Sequence, residues 1–204
     1  PAMTEKDIAD TKIGISANVD FFALSFVREA ADINQLKKFL LDNNSAAQVV
    51  AKVEDQSGIK NLKEILDVSD ALMVARGDLG IEVPYEELPI IQKQAVSDAL
   101  ISGKPVIMAT HLLESMIESP MPTRAEITDV SNSVFERVDC VMLSGETSVG
   151  KYPVECVDVL NKVTQNVERY AGGSGFNESL PLSTTREKLM KSAVVLAREL
   201  GGVG

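Results

Sequence analysis

Charged side chains stand at the end of one of the short apolar runs of this chain. Lys52 and Glu54 close the run over residues 49–53, and residues two apart on a strand point to the same face. A lysine and a carboxylate inside a sheet require a partner or a functional role, because burying an unpaired charge is energetically unfavourable. Two interpretations stay open: a structural Lys–Glu ion pair, or a metal-binding carboxylate beside a cation that meets negative charge on a substrate.

A second carboxylate follows the next apolar run. Residues 71–75 lead into Arg76-Gly77-Asp78, where the missing side chain of Gly77 lets the backbone approach a ligand closely. Glu54 and Asp78 form a candidate pair for Mg²⁺, which takes one or two carboxylates together with water and substrate oxygens. The alternative is a tight turn in which Asp78 is a helix N-cap.

Hydroxyl groups follow the fourth and fifth runs. Thr110 ends the fourth run and precedes His111, the single histidine of the chain. With no second histidine or cysteine pair beside it, His111 fits a packing residue better than a metal ligand. Ser144 and Thr147 follow the fifth run and fit either a catalytic hydroxyl or a capping turn.

Five apolar runs predict the strands that position these side chains. They cover residues 21–26, 49–53, 71–75, 105–109 and 140–143. Their continuous hydrophobicity is typical of parallel strands covered on both faces, and Cys140 is expected to be buried in the last run. Helical periodicity lies between the runs, starting near Asp32 and covering residues 59–66 and 88–99. Alternating strands and helices predict an α/β protein with a parallel sheet.

Composition limits the classes of function. The 204 residues carry 20 Lys and Arg against 30 Asp and Glu, a formal net charge of −10. A chain this acidic lacks the concentrated positive patch that nucleic acids or anionic membranes require, and none of its apolar runs is long enough to span a bilayer. Two cysteines and a start unlike a signal peptide favour a cytoplasmic protein.

The composition changes after Ala171. Gly-Gly-Ser-Gly at 172–175 is typical of a linker, and a further helix is expected beyond it. Its apolar face comprises Leu189, Ala193, Leu196, Ala197 and Leu200. We expect one domain to end at Ala171 and a linker with a further helix to follow it over residues 172–204. A closed eight-unit barrel needs about 250 residues, so the chain is expected to be incomplete at both ends.

Six longer motifs resemble those of the pyruvate kinase family. They are Lys-Val-Glu at 52–54, Met-Val-Ala-Arg-Gly-Asp-Leu-Gly-Ile-Glu at 73–82, Gly-Lys-Pro-Val-Ile-Met-Ala-Thr at 103–110, Leu-Glu-Ser-Met-Ile at 113–117, Pro-Thr-Arg-Ala-Glu at 122–126 and Asp-Cys-Val-Met-Leu-Ser-Gly-Glu-Thr at 139–147. The resemblance implies that residues 1–171 form a partial (β/α) barrel domain, strands four to eight of a TIM (β/α)8 barrel. It implies that residues 172–204 form a linker and the first helix of a truncated C-terminal domain. It also implies an ATP-binding phosphotransferase of glycolysis, which transfers the phosphoryl group of phosphoenolpyruvate to ADP and leaves pyruvate and ATP.

The resemblance also implies a role for individual residues. The catalytic set comprises Lys52, Thr110 and Ser144. The substrate-binding set comprises Lys52, Gly77, Asp78, Thr110, Ser25 and Phe26. Glu54 and Asp78 match the ligands of Mg²⁺ or Mn²⁺, while Arg76 and Arg124 match arginines near a subunit contact and are expected to be architectural.

The same resemblance implies K⁺, a cytoplasmic location and a homo-oligomer, typically a tetramer. Most K⁺ ligands, much of the nucleotide site and the lid belong to family segments that these 204 residues do not include, so turnover by this chain alone is not expected. Two alternatives stay open. One is another metal-dependent barrel enzyme acting on pyruvate or phosphoenolpyruvate, such as an aldolase. The other is a non-catalytic half-barrel that self-associates through its two open strand edges.

Overall fold

A single parallel sheet forms the centre of the computed structural model, which describes residues 3–171 and 182–199. Its strands are β1 (Phe21–Leu24), β2 (Gln48–Val53), β3 (Ala71–Ala75), β4 (Val106–Ala109) and β5 (Cys140–Met142). Each strand lies within the apolar run that predicts it, give or take two residues, so the α/β prediction with five parallel strands is confirmed.

The strands lie side by side in chain order, β1-β2-β3-β4-β5, and every pair is parallel. The register places Val53 opposite Val74 and Ala75 opposite Ala109. The carboxyl ends of neighbouring strands therefore lie next to one another. This arrangement brings to one edge the polar side chains that follow each strand.

Helices follow the strands as the crossover connections of a parallel sheet require. The helices are α1 (Glu5–Ser16), α2 (Ala30–Asp42), α3 (Gln56–Lys60), α4 (Leu62–Val68), α5 (Arg76–Glu82), α6 (Leu88–Ile101), α7 (Arg124–Phe135), α8 (Gly145–Ser148), α9 (Pro153–Ala171) and α10 (Thr185–Glu199). A short 3₁₀ helix, Glu114–Ile117, lies between β4 and α7.

Capping boxes begin several of the helices, among them α1 and α7. Thr4 accepts a hydrogen bond from the Asp7 N–H at the start of α1, and Thr123 accepts one from Glu126 at the start of α7. The carboxylate at the third helical position returns a bond to the backbone of the threonine in each case. Two otherwise unpaired donors are satisfied at each helix start, which fixes where the helix begins.

One face of the sheet is sealed by the helices. The central cluster joins alternate residues of β2, β3 and β4 to the inner sides of α4, α5 and α6, with Val53, Leu72, Val74, Val106 and Met108 from the strands. A second cluster joins Leu24, Val49 and Ala51 to Ile33, Leu36 and Leu40 of α2. These contacts fix the positions of the strand ends.

The opposite face of the sheet is covered unevenly, which corrects the expectation that every strand is covered on both faces. Val50, Ala71, Met73 and Ala109 are buried there in the middle of the sheet. At the margins, by contrast, Phe21 is 56% exposed and Cys140, expected to be buried, is exposed. Continuous hydrophobicity indicated the strands correctly but gave no information about which strands lie at an edge.

Two local boundaries differ from the prediction. The first apolar run stops forming a strand at Leu24, and Phe26 takes a left-handed backbone with φ of 53°. The helical pattern over 59–66 is divided between α3 and α4, because Asn61 ends one helix and begins the next. Both differences are breaks in backbone geometry that side-chain periodicity does not reveal.

Aspartates connect the amino ends of neighbouring strands. Asp70, just before β3, accepts a hydrogen bond of 2.8 Å from the Val49 N–H in β2. Asp139, just before β5, accepts one of 2.8 Å from the Val106 N–H in β4. Each carboxylate thus satisfies a donor at the start of the adjacent strand and stabilises the register at the edge away from the site.

The described residues divide into two compact units between Arg169 and Tyr170. The second unit contains α10, on which Leu189 and Leu196 are 66% and 56% exposed. Leu200 and the predicted linker at 172–175 lie outside the described residues, so the two-domain assignment stays a prediction. In the part of the chain that the structure describes, we find no helix with the length and apolar character needed to cross a membrane.

Candidate active site

Lys52 and Glu54 form an ion pair at the carboxyl end of β2. The Nζ atom of Lys52 lies 2.7 Å from Oε1 of Glu54, and it also donates a hydrogen bond of 2.8 Å to Oγ of Ser25. The second carboxylate oxygen of Glu54 accepts a hydrogen bond of 2.6 Å from the N–H of Phe26. The prediction that the two side chains share a face is confirmed, and the pair joins the ends of β1 and β2.

The burial of this pair is asymmetric. The Glu54 side chain is 1% exposed, whereas that of Lys52 is 24% exposed. Two of the three donors of the ammonium group have partners among the described residues, Ser25 and Glu54. The contacts agree with a structural Lys–Glu ion pair. They agree equally with a functional role, because the ammonium group is partly exposed and can meet negative charge on a substrate.

Asp78 lies in the first turn of α5, which begins immediately after β3. The alternative that Asp78 is an N-cap is wrong, because Ala75 occupies that position and Asp78 is the third helical residue. The side chain of Asp78 is exposed. It therefore presents a free carboxylate close to the strand end, where the positive end of the helix backbone favours negative charge.

Thr110 lies at the end of β4 and contacts the start of α5. Its Oγ1 accepts a hydrogen bond of 2.7 Å from the N–H of Gly77 and lies 2.7 Å from the carbonyl oxygen of Ala109, to which the hydroxyl donates. The structure thus brings together two of the predicted substrate-binding residues. It also shows that the Gly77 amide already has an acceptor in the chain itself.

Close packing around Gly77 explains why this position has no side chain. A Cβ atom there would lie 3.1 Å from Cε1 of His111 and 3.3 Å from Oγ1 of Thr110. Both neighbours have left-handed backbones, with φ of 72° at Thr110 and 53° at His111. Such a conformation is unusual for a β-branched residue and costs on the order of 1–3 kcal/mol.

Ser144 lies at the end of β5, where its hydroxyl makes no capping hydrogen bond with α8. The carboxylate of Glu146 accepts from the N–H of Ser144 at 2.8 Å and of Leu113 at 3.0 Å. Glu146 is 2% exposed and connects the loops after β4 and β5. Ser144 thus occupies the N-cap position of α8 without a capping bond from its hydroxyl, and Glu146 holds the turn.

Sequence reasoning missed an ion pair that reaches the same loops. Nη1 of Arg76 lies 2.6 Å from Oδ1 of Asp129 in α7, and Nη2 donates to the carbonyl of Thr110 at 3.0 Å. Asp129 lies in α7, a helix that is not among those predicted from the sequence, and nothing in its local sequence distinguishes it. Only the tertiary structure, which brings α7 next to Arg76, reveals the contact.

A second missed pair lies beside Glu54. Nε of Arg28 lies 2.8 Å from Oδ2 of Asp55, and Oδ1 of Asp55 accepts from the Gly58 N–H at 2.9 Å. Burial raises the pKa of the Asp55 carboxyl, but the hydrogen bonds from Gly58 and Arg28 lower it by more, so the pKa lies below its ordinary value. The loop after β2 is thereby held by a charged carboxylate.

An open hollow of about 1080 Å³ borders this cluster at the β1 edge. Ser25, Phe26 and Arg28 line it on the site side, with Asp7 and Asp32 from α1 and α2. Ser25 thus connects the hollow to Lys52 through the hydrogen bond described above. Lys52 and Glu54 do not themselves line this hollow, and its acidic side chains outnumber its basic one, Arg28.

Glu54 and Asp78 are the candidate metal ligands at these strand ends. Among residues 3–171 and 182–199, no three His, Cys, Asp or Glu side chains come together as a ready-made metal cage. Mg²⁺ does not need one, because it is commonly held by one or two carboxylates while water and substrate oxygens complete its octahedron. Glu54 and Asp78 supply hard oxygen donors at adjacent strand ends, so the donor set fits this ion.

Comparison with known proteins agrees with the motifs. The family described as "Pyruvate kinase, barrel domain" matches residues 1–157. A curated pyruvate kinase from Dictyostelium discoideum is 52% identical over 168 residues, which cover 82% of this chain and 33% of that protein. One from Candida albicans is 44% identical over 98% of this chain and 40% of its own length.

More distant relatives carry the same name. A pyruvate kinase from Methanocaldococcus jannaschii is 40% identical over 98% of this chain and 45% of its own length. The chain thus spans between a third and a half of the length of these three relatives.

Proposed function

Because the chain belongs to the pyruvate kinase family, we propose that it forms strands four to eight of a barrel that transfers the phosphoryl group of phosphoenolpyruvate to ADP, leaving pyruvate and ATP. The proposal concerns the activity of a whole protein of which this chain matches a part. One observation supports it above the others. The buried Glu54 carboxylate holds Lys52 at the end of β2, and Asp78 and Thr110 follow the next two strands.

Lys52 is proposed to stabilise the phosphoryl group during transfer. The transition state of such a transfer carries its charge on equatorial oxygens, so catalysis depends on positioning and on electrostatic stabilisation. Ser25 and Glu54 orient the ammonium group, and its third donor is available to a phosphoryl oxygen. Because Lys52 is partly buried, its charge acts in a medium that screens less than bulk water.

Glu54 and Asp78 are the residues that would hold Mg²⁺ or Mn²⁺. When bound, the ion supplies positive charge against the carboxylate and phosphoryl oxygens of the substrate. Glu54 already accepts hydrogen bonds at both oxygens, from Lys52 and from the Phe26 N–H, but each oxygen has a second lone pair. Asp78 is exposed and can turn toward the ion without breaking a contact of its own side chain that the structure describes.

Gly77 and Asp78 are proposed to receive the substrate carboxylate through their backbone N–H groups. The Gly77 N–H donates to Thr110 in the structure. A carboxylate bound here would share this N–H with Thr110 Oγ1 in a three-centre hydrogen bond. The Thr110 hydroxyl then stays in place next to the substrate.

Thr110 and Ser144 are proposed to act in the proton transfer that completes pyruvate. The Thr110 hydroxyl directs its proton toward the Ala109 carbonyl, so it must rotate before it can face a substrate carbon. Ser144, whose hydroxyl makes no cap bond, extends the hydroxyl path to the next strand end. Ser25 and Phe26, which line the hollow at the end of β1, are proposed to border the substrate on the side of Lys52.

The wider setting follows from family membership and remains part of the proposal. We place the protein in the cytoplasm, in glycolysis, as a homo-oligomer that also uses K⁺. Residues 1–171 would then belong to the barrel domain and residues 172–204 to a linker and a C-terminal domain. The net charge of −10 is compatible with small-molecule substrates and unfavourable for nucleic acid.

Calorimetric titration with oxalate, an analogue of the enolate of pyruvate, tests the proposed function. The 204-residue chain is titrated with and without Mg²⁺, next to Asp78→Asn and a matched control, Glu82→Gln, which changes another exposed carboxylate of α5. We expect binding that requires Mg²⁺, that Asp78→Asn weakens and that Glu82→Gln leaves unchanged. Oxalate binding that is absent, or equal in the two variants, contradicts the assigned site.

A further inference from the structure

Two consecutive residues at the end of β4 have left-handed backbones. Thr110 has a φ of 72° and His111 a φ of 53°. Threonine is among the residues least suited to this conformation, because its branched Cβ collides with the backbone. A strained residue of this kind persists only where surrounding contacts stabilise it. The contacts of Thr110 therefore identify the groups that hold its backbone in this conformation.

Both polar ends of Thr110 are held from the start of α5. Nη2 of Arg76 donates to the Thr110 carbonyl at 3.0 Å, and the N–H of the following residue, Gly77, donates to Oγ1 at 2.7 Å. Arg76 itself is fixed by Asp129, whose Oδ1 lies 2.6 Å from Nη1. The guanidinium group thus bridges α7 and the β4 end, and its planar geometry sets both contacts at once.

Stability alone does not account for this arrangement. The Arg76 side chain is 11% exposed, and its Nε is buried with no hydrogen-bond partner among the described residues. Placing a charge and an unpaired donor in such a site is unfavourable, and apolar residues often stabilise a fold as well as a buried ion pair does. The Arg76–Asp129 ion pair instead fixes the position of Thr110, whose carbonyl Arg76 contacts.

We propose that the Arg76–Asp129 ion pair is a positioning device that sets the Thr110 hydroxyl against the Gly77 amide. This inference rests on the proposed function, in which both groups meet the substrate. Arg76 is then a positioning residue that acts through Thr110, and its role lies within the chain rather than only at a subunit contact. Without the pair, Thr110 relaxes toward an ordinary backbone and the Gly77 amide loses its acceptor.

Hydrogen exchange of single amides, measured by NMR on the 204-residue chain without ligand, tests the proposal. Arg76→Leu and Asp129→Asn are compared with Asp10→Asn, which breaks an exposed ion pair of α1 instead. We expect the Gly77 amide to exchange about tenfold faster in both test variants, the effect of losing one hydrogen bond. The Val74 amide in β3 should keep its protection, and the control should match the unmodified chain.

The conservative variant Arg76→Lys separates geometry from charge. Lysine keeps the positive charge but lacks the planar fork, so it cannot satisfy Asp129 and the Thr110 carbonyl together. We expect fast exchange at Gly77 in this variant too. Full protection with lysine would overturn the positioning role, as would unchanged Gly77 exchange in Asp129→Asn, or equal loss of protection at Gly77 and Val74.

Oxalate titration of the same variants distinguishes this inference from the proposed function. If Arg76 positions the site, Mg²⁺-dependent oxalate binding weakens about tenfold in Arg76→Leu, in step with the loss of Gly77 protection. If the unmodified chain binds no oxalate while Gly77 responds as expected, the proposed function fails and the positioning of Thr110 stands. If oxalate binds equally well in all variants, the positioning role fails and the proposed function stands.

Discussion

The Nζ atom of Lys52 lies 2.7 Å from Oε1 of Glu54, a carboxylate that is 1% exposed. The negative charge of Glu54 is thus removed from water and depends on one ammonium group and one backbone N–H, that of Phe26. Such a carboxylate is stable only while its partners are present. A substitution of Lys52 or of Glu54 is therefore expected to change the proposed chemistry and the stability of the sheet together.

Lys52→Met is therefore expected to destabilise the fold as well as the site. Loss of the ammonium group leaves Glu54 buried without its counter-charge, and we expect the free energy of unfolding to fall by about 3 kcal/mol. Urea denaturation followed by circular dichroism measures the change. The double variant Lys52→Met, Glu54→Gln removes both charges and should recover about half of the loss. A single variant as stable as the unmodified chain would show that Glu54 does not depend on Lys52.

Asp78→Asn is expected to affect metal binding without affecting stability. The side chain is exposed, and it makes no hydrogen bond or ion pair with any of the described residues that the substitution could break. We expect Mn²⁺ affinity, measured by electron paramagnetic resonance, to fall by about tenfold or more as one of two carboxylate ligands is lost. The melting temperature without metal should stay the same. Equal Mn²⁺ affinity in Asp78→Asn and in Glu82→Gln would remove Asp78 from the metal site.

Gly77→Ala is expected to weaken oxalate binding without lowering the thermal stability of the chain. Alanine favours the helix over glycine by about 0.5–1 kcal/mol, so α5 itself should not weaken. The new methyl group, however, would lie 3.1 Å from Cε1 of His111 and 3.3 Å from Oγ1 of Thr110, and it should displace the loop. We expect weaker oxalate binding at unchanged thermal stability. Adding His111→Ala removes the nearest obstacle and should restore binding, whereas a double variant as weak as Gly77→Ala would argue against this contact.

Acid stability should depend on Glu126. Burial raises the pKa of its carboxyl, but hydrogen bonds from Ser115 and Thr123 lower it by more, so the pKa in the folded chain lies below the ordinary value of 4.5. A group whose pKa is lowered by folding stabilises the fold above its unfolded pKa, and that contribution is lost as the pH falls through the folded value.

Glu126→Gln measures this contribution directly. We expect the variant to unfold at a lower urea concentration than the unmodified chain at pH 7, and the difference to shrink as the pH is lowered below about 4.5. A difference that is constant between pH 7 and pH 3 would show that the charge of Glu126 is not what stabilises the start of α7.

The free edge at β1 is expected to promote self-association. Phe21 is 56% exposed on a strand that pairs on one side only among the described residues. Exposed strand edges with apolar side chains pair with other chains, and a charged residue at the edge opposes this. Sedimentation velocity should show a mass that rises with protein concentration and that Phe21→Lys lowers. A monomer at all concentrations would count against this association.

The strands could be predicted from the sequence because their apolar runs are short, continuous and rich in β-branched residues. The pairing of Lys52 with Glu54 followed from the two-residue period of a strand. The helices α1 and α7 were missed, although the capping signals Thr4–Asp7 and Thr123–Glu126 mark their first residues. These signals were accessible to sequence reasoning.

Other features depend on tertiary structure and have no local signal. Asp129 contacts Arg76 across 53 positions of the chain, and Cys140 is exposed because β5 lies at an edge of the sheet. Thr110 likewise has a left-handed backbone, a conformation that threonine rarely adopts, so its residue type does not predict it. Where local preference and structure disagree in this way, the disagreement points to the candidate site.

The strand order has a consequence for how the chain acquires its structure. Each strand pairs only with the strands immediately before and after it in the chain. During synthesis, each of β2 to β5 therefore meets a neighbouring strand that is already made, and none of the pairings among these five strands skips a strand. Short loops close at a small cost in entropy. We expect nascent chains stopped after β3 to hold β1 to β3 in native pairing, so that assembly proceeds in the direction of translation.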